Sequence, residues 1–246
     1  MKLCIEEIHH KETKMKILTD KRDLIKYAYN ELIKQRSFLE EYILHDPLFR
    51  VTLEPYEIKE NSPEIIKQMA EAAKIAGVGP MAAVAGTLSE FVCRRLIREG
   101  SGIAVVENGG DIFAYAEYPI KIGVFSGKRF TEELAFELNR ENTPLAICSS
   151  SSFLGHSLSF GECDLATVFS GKAAVADAVA TSVCNSVKKE GDMRKILEWA
   201  IKLKYVDGVI IIKNNKIGMI GDIPRIIRTE DKKIREKITK NDIYRL

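Results

Sequence analysis

The chain has 246 residues, of which 46% are hydrophobic and 29% are charged, a composition typical of a globular protein rather than a disordered one. Its net charge is +2 and its Lys and Arg residues are spread along the chain, which argues against nucleic-acid binding. No apolar run approaches the roughly 20 residues of a membrane-spanning helix, and Glu6 and Glu7 fall where a signal peptide would be apolar. We therefore expect a cytoplasmic protein that does not contact a membrane.

The cysteines indicate a reduced protein without structural zinc. Their number is five, which is odd, and no two of them form a Cys-x-x-Cys pair. Because zinc sites and disulfide frameworks use paired cysteines, we expect buried free thiols instead. They are Cys4, Cys93, Cys148, Cys163 and Cys184.

The start of the chain predicts two strands followed by a long helix. Residues 2–8 and 14–18 have strand patterns, and Asp20 is a candidate N-cap for the helix that follows. Apolar residues then recur at helical spacing until Pro47 ends the pattern. Beyond it, polar and apolar residues alternate over residues 48–56, which predicts a further strand.

Two helices are expected next, and the second has an unusual start. Ser62 is a candidate cap for a helix that runs to about residue 76, and a second helix with many small residues covers residues 81–98. A helix N-terminus led by Gly79 can bind phosphate through its free backbone N–H groups. Small residues such as Gly86 also allow close packing against a sheet. Both explanations stay open, because neither glycine belongs to a phosphate-loop pattern.

A glycine turn near the middle of the chain predicts a β-hairpin. Asn108, Gly109, Gly110 and Asp111 stand between two apolar runs, and the second run ends at Gly123. Glycine adopts positive φ at little steric cost and lets a ligand approach the bare backbone. The turn alone fits both a plain hairpin and one wall of a binding site.

The second half repeats the order of strands, two helices and strands. Strands are expected at residues 134–138, 145–148, 165–169, 208–212 and 217–220. Helices are expected at residues 173–189 and 192–204, the second of them capped by Asp192. Two such rounds predict an α+β fold of antiparallel β-sheets with helices packed on one face. Residues 230–246 form a charged tail.

One helix of the second half carries a carboxylate and a hydroxyl on the same face. Asp177 and Thr181 lie four residues apart among alanines and valines. Their oxygens are suitable ligands for Mg²⁺, which keeps some of its waters and takes further ligands from substrate phosphates. The same two residues also continue into a polar stripe with Asn185 and Lys188, as in any amphipathic helix. The pattern by itself favours neither interpretation.

A histidine and a serine cluster lie between the expected strands at 145–148 and 165–169. His156 stands among glycines and serines, and a loop histidine is a usual proton-transfer group, although it can equally be a hydrogen-bonded structural residue. The serines at 149–152 can donate hydroxyl hydrogen bonds to an anion or form a solvated turn. No Gly-x-Ser-x-Gly motif accompanies them, so a hydrolase triad is not expected.

Taken together, these motifs stand in the order found in the ApbE superfamily of FAD:protein FMN transferases, which this chain resembles. The shared order is a glycine-led helix, a Gly-Gly-Asp hairpin, a serine-containing turn, a His segment and an Ala-Asp-Ala-x-Ala-Thr helix. In this chain the motifs lie at residues 79–86, 108–112, 148–151, 155–158 and 176–181. The resemblance covers roughly residues 78 to 190.

The resemblance implies a T-fold-like, internally duplicated protein in which residues 1–229 form a single domain of two intertwined halves. Flavin nucleotide, as FAD, would bind between the halves together with Mg²⁺. The resemblance implies that Asp177 and Thr181 hold the metal and that His156 and Asp177 are the catalytic residues. The nucleotide would be bound by Gly79, Asn108, Gly109, Gly110, Asp111, Ser149, Ser150, Ser151 and His156.

Two functions remain open, because the chain departs from the transferases. They carry a Lys in the glycine-led segment, where this chain has Ala and Val at residues 82–85, and Leu158, Ser159 and Phe160 replace their Ile-Asp-Pro. The first function is transfer of FMN from FAD to a hydroxyl of an acceptor protein, or cleavage of FAD. The second is a non-flavin pathway or binding protein, as in sulfur assimilation, that keeps the anion pocket and uses Cys148 and Cys163. Such a chain resembles a short, cytoplasmic branch of the superfamily, and a homodimer is compatible with either function.

Overall fold

The structure is a computed structural model that describes residues 3–123, 134–152 and 162–228. His156 and the charged tail at 230–246 lie outside the described residues, so the sequence-based expectations for them stay predictions.

The described residues form two antiparallel sheets. The strands are β1 (Cys4–His10), β2 (Thr13–Thr19), β3 (Ile103–Asn108), β4 (Asp111–Ala116), β5 (Ile120–Gly123), β6 (Leu134–Leu138), β7 (Leu145–Ser150), β8 (Leu165–Ser170), β9 (Gly208–Lys213), β10 (Lys216–Gly221) and β11 (Ile226–Arg228). The central sheet has eight strands in the spatial order β1-β2-β3-β4-β7-β8-β9-β10, and a second sheet has three in the order β11-β6-β5.

The helices cover one face of the central sheet, and the small sheet packs against the other. Strand residues alternate between the two sides, so that Val106 and Phe113 face the helices while Val105 and Ile112 face the small sheet. The helices are α1 (Ile25–His45), α2 (Leu48–Val51), α3 (Glu64–Ala76), α4 (Val84–Arg98), α5 (Ala173–Ser186) and α6 (Met193–Ala200). The predicted α+β class, with antiparallel sheets and helices on one face, is therefore confirmed.

The central sheet contains the same sequence of elements twice. Strands β1 to β4 lie side by side in chain order, with helices inserted between the two hairpins, and β7 to β10 repeat this arrangement. The two groups of four meet where β4 pairs with β7, with Ile112 opposite Ile147. The T-fold and the division into two intertwined halves stay predictions.

The strand predicted at 48–56 is wrong. Leu48–Val51 forms one helical turn instead, with Pro47 at its N-cap position. Tertiary packing overrides the alternation, because Phe49 is fully buried between Tyr42 and Tyr56 in edge-to-face contacts with ring centroids 5.0 and 6.1 Å away.

Several predicted element ends also differ from the structure. Asp20 does not cap α1, because its carboxylate instead accepts backbone hydrogen bonds from Gly102 and Ile103 at the start of β3. The N-cap of α3 is Pro63, with no side-chain cap from Ser62. The apolar run that ends at Gly123 forms two strands, β4 and β5, which belong to different sheets. Helices α5 and α6 end at Ser186 and Ala200, earlier than predicted.

Within the described ranges, no single helix combines the length and the apolar character that a membrane span requires. The segments Glu64–Ala76 and Pro80–Arg98 meet that requirement only as a pair, and they are bent by 105° relative to each other.

Candidate functional site

Helices α4 and α5 meet through a glycine. The backbone N–H of Gly86, in the first turn of α4, donates a 2.8 Å hydrogen bond to Oδ2 of Asp177 on α5. A Cβ atom on Gly86 would lie 2.6 Å from the carbonyl oxygen of Ala173 and 2.9 Å from Cβ of Asp177. The small residue at 86 therefore has a packing reason, and the free N–H of the helix start has a carboxylate partner.

A second carboxylate makes the reverse connection. Glu90 lies one turn after Gly86 on α4, and its Oε2 accepts a 2.7 Å hydrogen bond from the backbone N–H of Ala173, the first residue of α5. Its Oε1 is paired with Nε of Arg94 at 2.7 Å. Each helix thus gives one N–H and one carboxylate to the other, with donor and acceptor four residues apart on both. Glu90 is not among the residues predicted from the sequence, although a carboxylate beside Leu88, Val92 and Cys93 on a buried helix face indicates a buried polar contact.

The glycine hairpin docks against the start of α4. Gly109 and Gly110 have φ values of +66° and +104°, as the turn requires, and β3 and β4 pair as predicted. The side-chain amide of Asn108 donates to the carbonyl of Ala85 at 3.3 Å, and the hydroxyl of Ser89 donates to the carbonyl of Asp111 at 3.0 Å. The structure therefore brings the hairpin motif and the glycine-led helix together.

Asp111 turns its carboxylate toward the helices, where it faces Asp177. Both side chains are buried, with 7% and 9% exposed. The pKa of Asp111 is well above its usual range because of burial and the neighbouring Asp177 charge, although the Cys148 thiol and the N–H of Ser149 partly oppose the shift. Burial raises the pKa of Asp177 to about 7, against the hydrogen bonds from Gly86 and Ala85. Two buried carboxylates in this arrangement favour a shared proton or a bound cation.

The three predicted serines have different environments. Ser149 Oγ lies 2.9 Å from Oγ1 of Thr167, while Ser150 faces the helices because strand residues alternate. The buried hydroxyl of Ser150 has no hydrogen-bond partner in the part of the chain that the structure describes. Ser151 is buried as well.

Strand β7 runs along α5 and places Ser150 beside its middle. Cys148 Sγ lies 3.7 Å from the carbonyl of Ala173 at the start of α5, and Ser152 Oγ lies 3.5 Å from Cys184 Sγ near its end. Ser150 is between these two contacts, at the level where α5 carries Asp177 and Thr181.

Thr181 is buried, with 7% of its surface exposed. The polar stripe on α5 is therefore not a solvated face at Asp177 and Thr181. Asn185 is half-buried, and the exposed Lys188 lies beyond the end of α5. This removes the simpler explanation for the pair that the sequence left open.

Gly79 has a different environment from Gly86. A Cβ atom there would lie 2.0 Å from the carbonyl oxygen of Thr52, so the segment after α2 crosses directly over this glycine. Close packing accounts for Gly79, and its predicted part in nucleotide binding stays a prediction.

The residues at the site suit a hard cation. The described residues contain no group of three or more His, Cys, Asp or Glu side chains arranged to hold a metal ion. Two carboxylates with neighbouring hydroxyls nevertheless fit Mg²⁺, which needs only one or two carboxylates when substrate phosphates and waters complete its coordination. The carboxylates of Asp111 and Asp177 and the hydroxyls of Ser150 and Thr181 provide such oxygen ligands.

The cysteines are free, as the sequence predicts. Four of them are buried and Cys4 is half-buried. Burial raises the pKa of the Cys148 thiol, as do the carboxylates of Asp111 and Asp177. The pKa of Cys163 is also raised, first by its contact with Cys184 and then by burial. Thiols of this kind are poor nucleophiles.

Comparisons with known proteins show one family and a shared fold. A model of the family described as AbpE bacteria matches residues 5–201. A UPF0280 protein of Methanococcus vannielii is 40% identical over 94% of this chain and 96% of its own length. Among solved structures, an ApbE protein of Thermotoga maritima has a TM-score of 0.64 at 12% identity, covering 95% of this chain and 99% of its own. A mutant of the flavin transferase ApbE from Vibrio cholerae has a TM-score of 0.58 at 12% identity, covering 90% and 97%.

Proposed function

The chain belongs to the family described as AbpE bacteria, and from this membership we propose that it binds a flavin nucleotide together with Mg²⁺ and acts on FAD. The reaction is transfer of FMN to a hydroxyl of an acceptor protein or cleavage of FAD at its pyrophosphate. The flavin transferases among its structural relatives support the proposal, and the fold similarity to them extends over nearly the whole chain.

One observation carries the proposal. Asp111 and Asp177 face each other in a buried place, and Thr181 lies one helical turn after Asp177 on α5. On β7, the buried hydroxyl of Ser150 has no hydrogen-bond partner among the described residues. Burial raises the pKa of both carboxyl groups, and the Asp177 charge raises that of Asp111 further, so both carboxylates are costly in a metal-free protein. A divalent cation with a pyrophosphate would remove that cost, since the cation compensates the carboxylates and a phosphate oxygen can accept a hydrogen bond from Ser150.

In this mechanism Asp177, Thr181 and Asp111 hold Mg²⁺. When bound, the metal supplies charge neutralisation on the pyrophosphate and polarises the bond to the leaving phosphate. The hairpin at Gly109 and Gly110 forms a wall with exposed backbone. The Gly86 N–H and the packing of α4 against α5 keep the Asp177 carboxylate in one orientation.

The reaction also needs a base. In the transfer, the oxygen of an acceptor Ser or Thr bonds to the FMN phosphorus, the bond from that phosphorus to the AMP oxygen breaks, and AMP leaves. The hydroxyl proton goes to a base, and His156 remains our candidate for this group. In the cleavage reaction, water replaces the acceptor hydroxyl.

The second candidate function rests on Cys148 and Cys163. Both thiols are fully buried and both have a raised pKa, so neither is suited to attack a substrate. The site geometry therefore favours the flavin function over a thiol-dependent one.

The test mixes purified protein with FAD and Mg²⁺, separates small molecules by gel filtration, and measures the visible spectrum of the protein and the AMP released. We expect bound flavin and AMP from the wild type, and loss of AMP release in Asp177→Asn. Asp23→Asn is the matched control, because Asp23 is an exposed aspartate far from the site in sequence. A colourless protein that releases no AMP would contradict the proposal.

A further inference from the structure

The most exposed apolar side chains of the described residues lie close together in the chain. They belong to the end of α1, to α2 and to the segment just after it, which we call the α2 corner. The exposed fractions are 78% for Leu44, 62% for Leu48, 67% for Val51 and 57% for Leu53. Scattered single apolar residues on a surface are normal, but here four exposed apolar side chains fall within one short segment, and Leu48 and Val51 lie three residues apart on one face of α2. An apolar surface of this kind is typical of an interaction site.

The exposure of the α2 corner is built into the fold. Phe49 anchors the turn by inserting its ring between Tyr42 and Tyr56, and the Tyr56 hydroxyl donates a 2.8 Å hydrogen bond to Asp46. Leu48, directly before this anchor, points outward because the single helical turn has only one buried face. The segment after the turn is fixed as well, since the carbonyl of Thr52 packs on Gly79.

We propose that the α2 corner is the interface through which two copies of this chain associate as a two-fold dimer. Its four side chains present on the order of 400 Å² of apolar area, and a standard interface buries about 800 Å² per partner, somewhat more than half of it apolar. The corner therefore supplies most of the apolar centre that a stable dimer needs.

The charges around the corner favour a second copy over other partners. Arg50 and Glu54 are exposed, and among the described residues neither side chain has an ion-pair partner. In a two-fold interface the same surface meets itself, so Arg50 can pair with Glu54 of the partner subunit and the reverse pair forms by symmetry. An anionic membrane or a strongly charged protein would instead be matched by residues of one sign.

The first test measures the molar mass of the wild-type chain by light scattering and sedimentation over a wide range of protein concentration. We expect a concentration-dependent dimer. The double variant Leu48→Asp with Val51→Asp should be monomeric and still folded, because both side chains are exposed, and its unfolding temperature should not depend on protein concentration. Met219→Asp is the matched control, since Met219 is 51% exposed on the edge strand β10.

A charge exchange makes the test specific for a two-fold arrangement. Arg50→Glu should weaken dimerisation by about tenfold or more, and adding Glu54→Arg to it should restore the wild-type affinity. A wild type that stays monomeric would overturn the proposal. So would a dimer that Met219→Asp breaks and the Leu48 variant does not, or a monomer that binds vesicles of phosphatidylcholine. The proposal does not depend on the flavin function.

Discussion

The two carboxylates that join α4 to α5 have the same backbone role and opposite surroundings. Glu90 accepts the N–H of Ala173 and is also paired with Arg94, whose guanidinium lies 5.0 Å from the Phe113 ring centre. Asp177 accepts the N–H of Gly86 and faces a second buried carboxylate instead of a cation.

From this difference we propose a structural role for Glu90 and a ligand-binding role for Asp177. The charge of Glu90 is balanced within the protein, so this residue can hold the two helices in register without any ligand. The charge of Asp177 is not balanced in this way, and its pKa is raised to about 7 by burial. A protein retains such a group where a ligand or a cation completes it.

The largest effect is expected for Glu90→Ala. This variant removes a buried acceptor, leaves the Ala173 N–H without its partner and unpairs Arg94, and should cost about 3 kcal/mol of unfolding free energy. Glu90→Gln keeps an acceptor oxygen and should cost about 1 kcal/mol. Urea unfolding of both variants measures the difference. Equal losses would show that the contact with Ala173 does not matter.

The next largest effect is expected for Gly86→Ala, which tests the close packing of α4 against α5 at Gly86. Replacing Gly by Ala inside a helix normally stabilises it by about 1 kcal/mol. Here the added methyl group meets the Ala173 carbonyl at 2.6 Å, so we expect a net loss of about 2 kcal/mol. Gly171→Ala is the control, because a Cβ atom on Gly171 has nothing within 4 Å. A stabilised Gly86→Ala variant would mean that α4 and α5 are further apart.

Local signals explain what the sequence could predict about the fold. The hairpins at Gly109 and at Asn214 were predictable because their turns use residues that readily adopt positive φ. A few neighbouring residues are therefore enough to identify each turn. The alternation at residues 48–56 is equally local but misleads, because the burial of Phe49 between two tyrosines decides the conformation. Nothing near Phe49 in the sequence reveals that packing.

The sequence predicts those parts of the candidate site that single motifs reveal. Asp177 stands out as a carboxylate among alanines, and the hairpin stands out by its glycines. The partnership of Glu90 with Ala173 joins residues 83 positions apart, and the facing of Asp111 and Asp177 depends on how α5 lies over β4. Such pairs depend on how the helices and strands pack together. The spacing of residues within one helix or one strand does not reveal that packing.

The last prediction concerns the pH dependence of the metal-free protein, to which the buried carboxyl groups of Asp177 and Asp111 contribute with the same sign. The pKa of Asp177 rises from 3.8 in the unfolded chain to about 7 in the folded one, so the folded state binds the additional proton between these values. The protonation of Asp177 makes its full contribution to the free energy of unfolding below pH 4. This contribution is lost as the pH rises toward 7, with a slope of at most about 1.4 kcal/mol per pH unit. Thermal unfolding in the presence of a chelator should therefore show higher stability at pH 5 than at pH 8.

Asp177→Asn should remove the share of that slope that comes from Asp177, since the amide does not titrate, while Asp111 keeps the share that its own burial causes. The variant should be the more stable protein at pH 8. The exposed Asp23→Asn control should retain the wild-type slope. Adding Mg²⁺ at pH 8 should then stabilise the wild type and leave Asp177→Asn unchanged, because the cation replaces the proton between Asp111 and Asp177. If the wild type and Asp177→Asn lose stability in parallel from pH 5 to 8, the Asp177 carboxylate is already balanced within the protein, as that of Glu90 is.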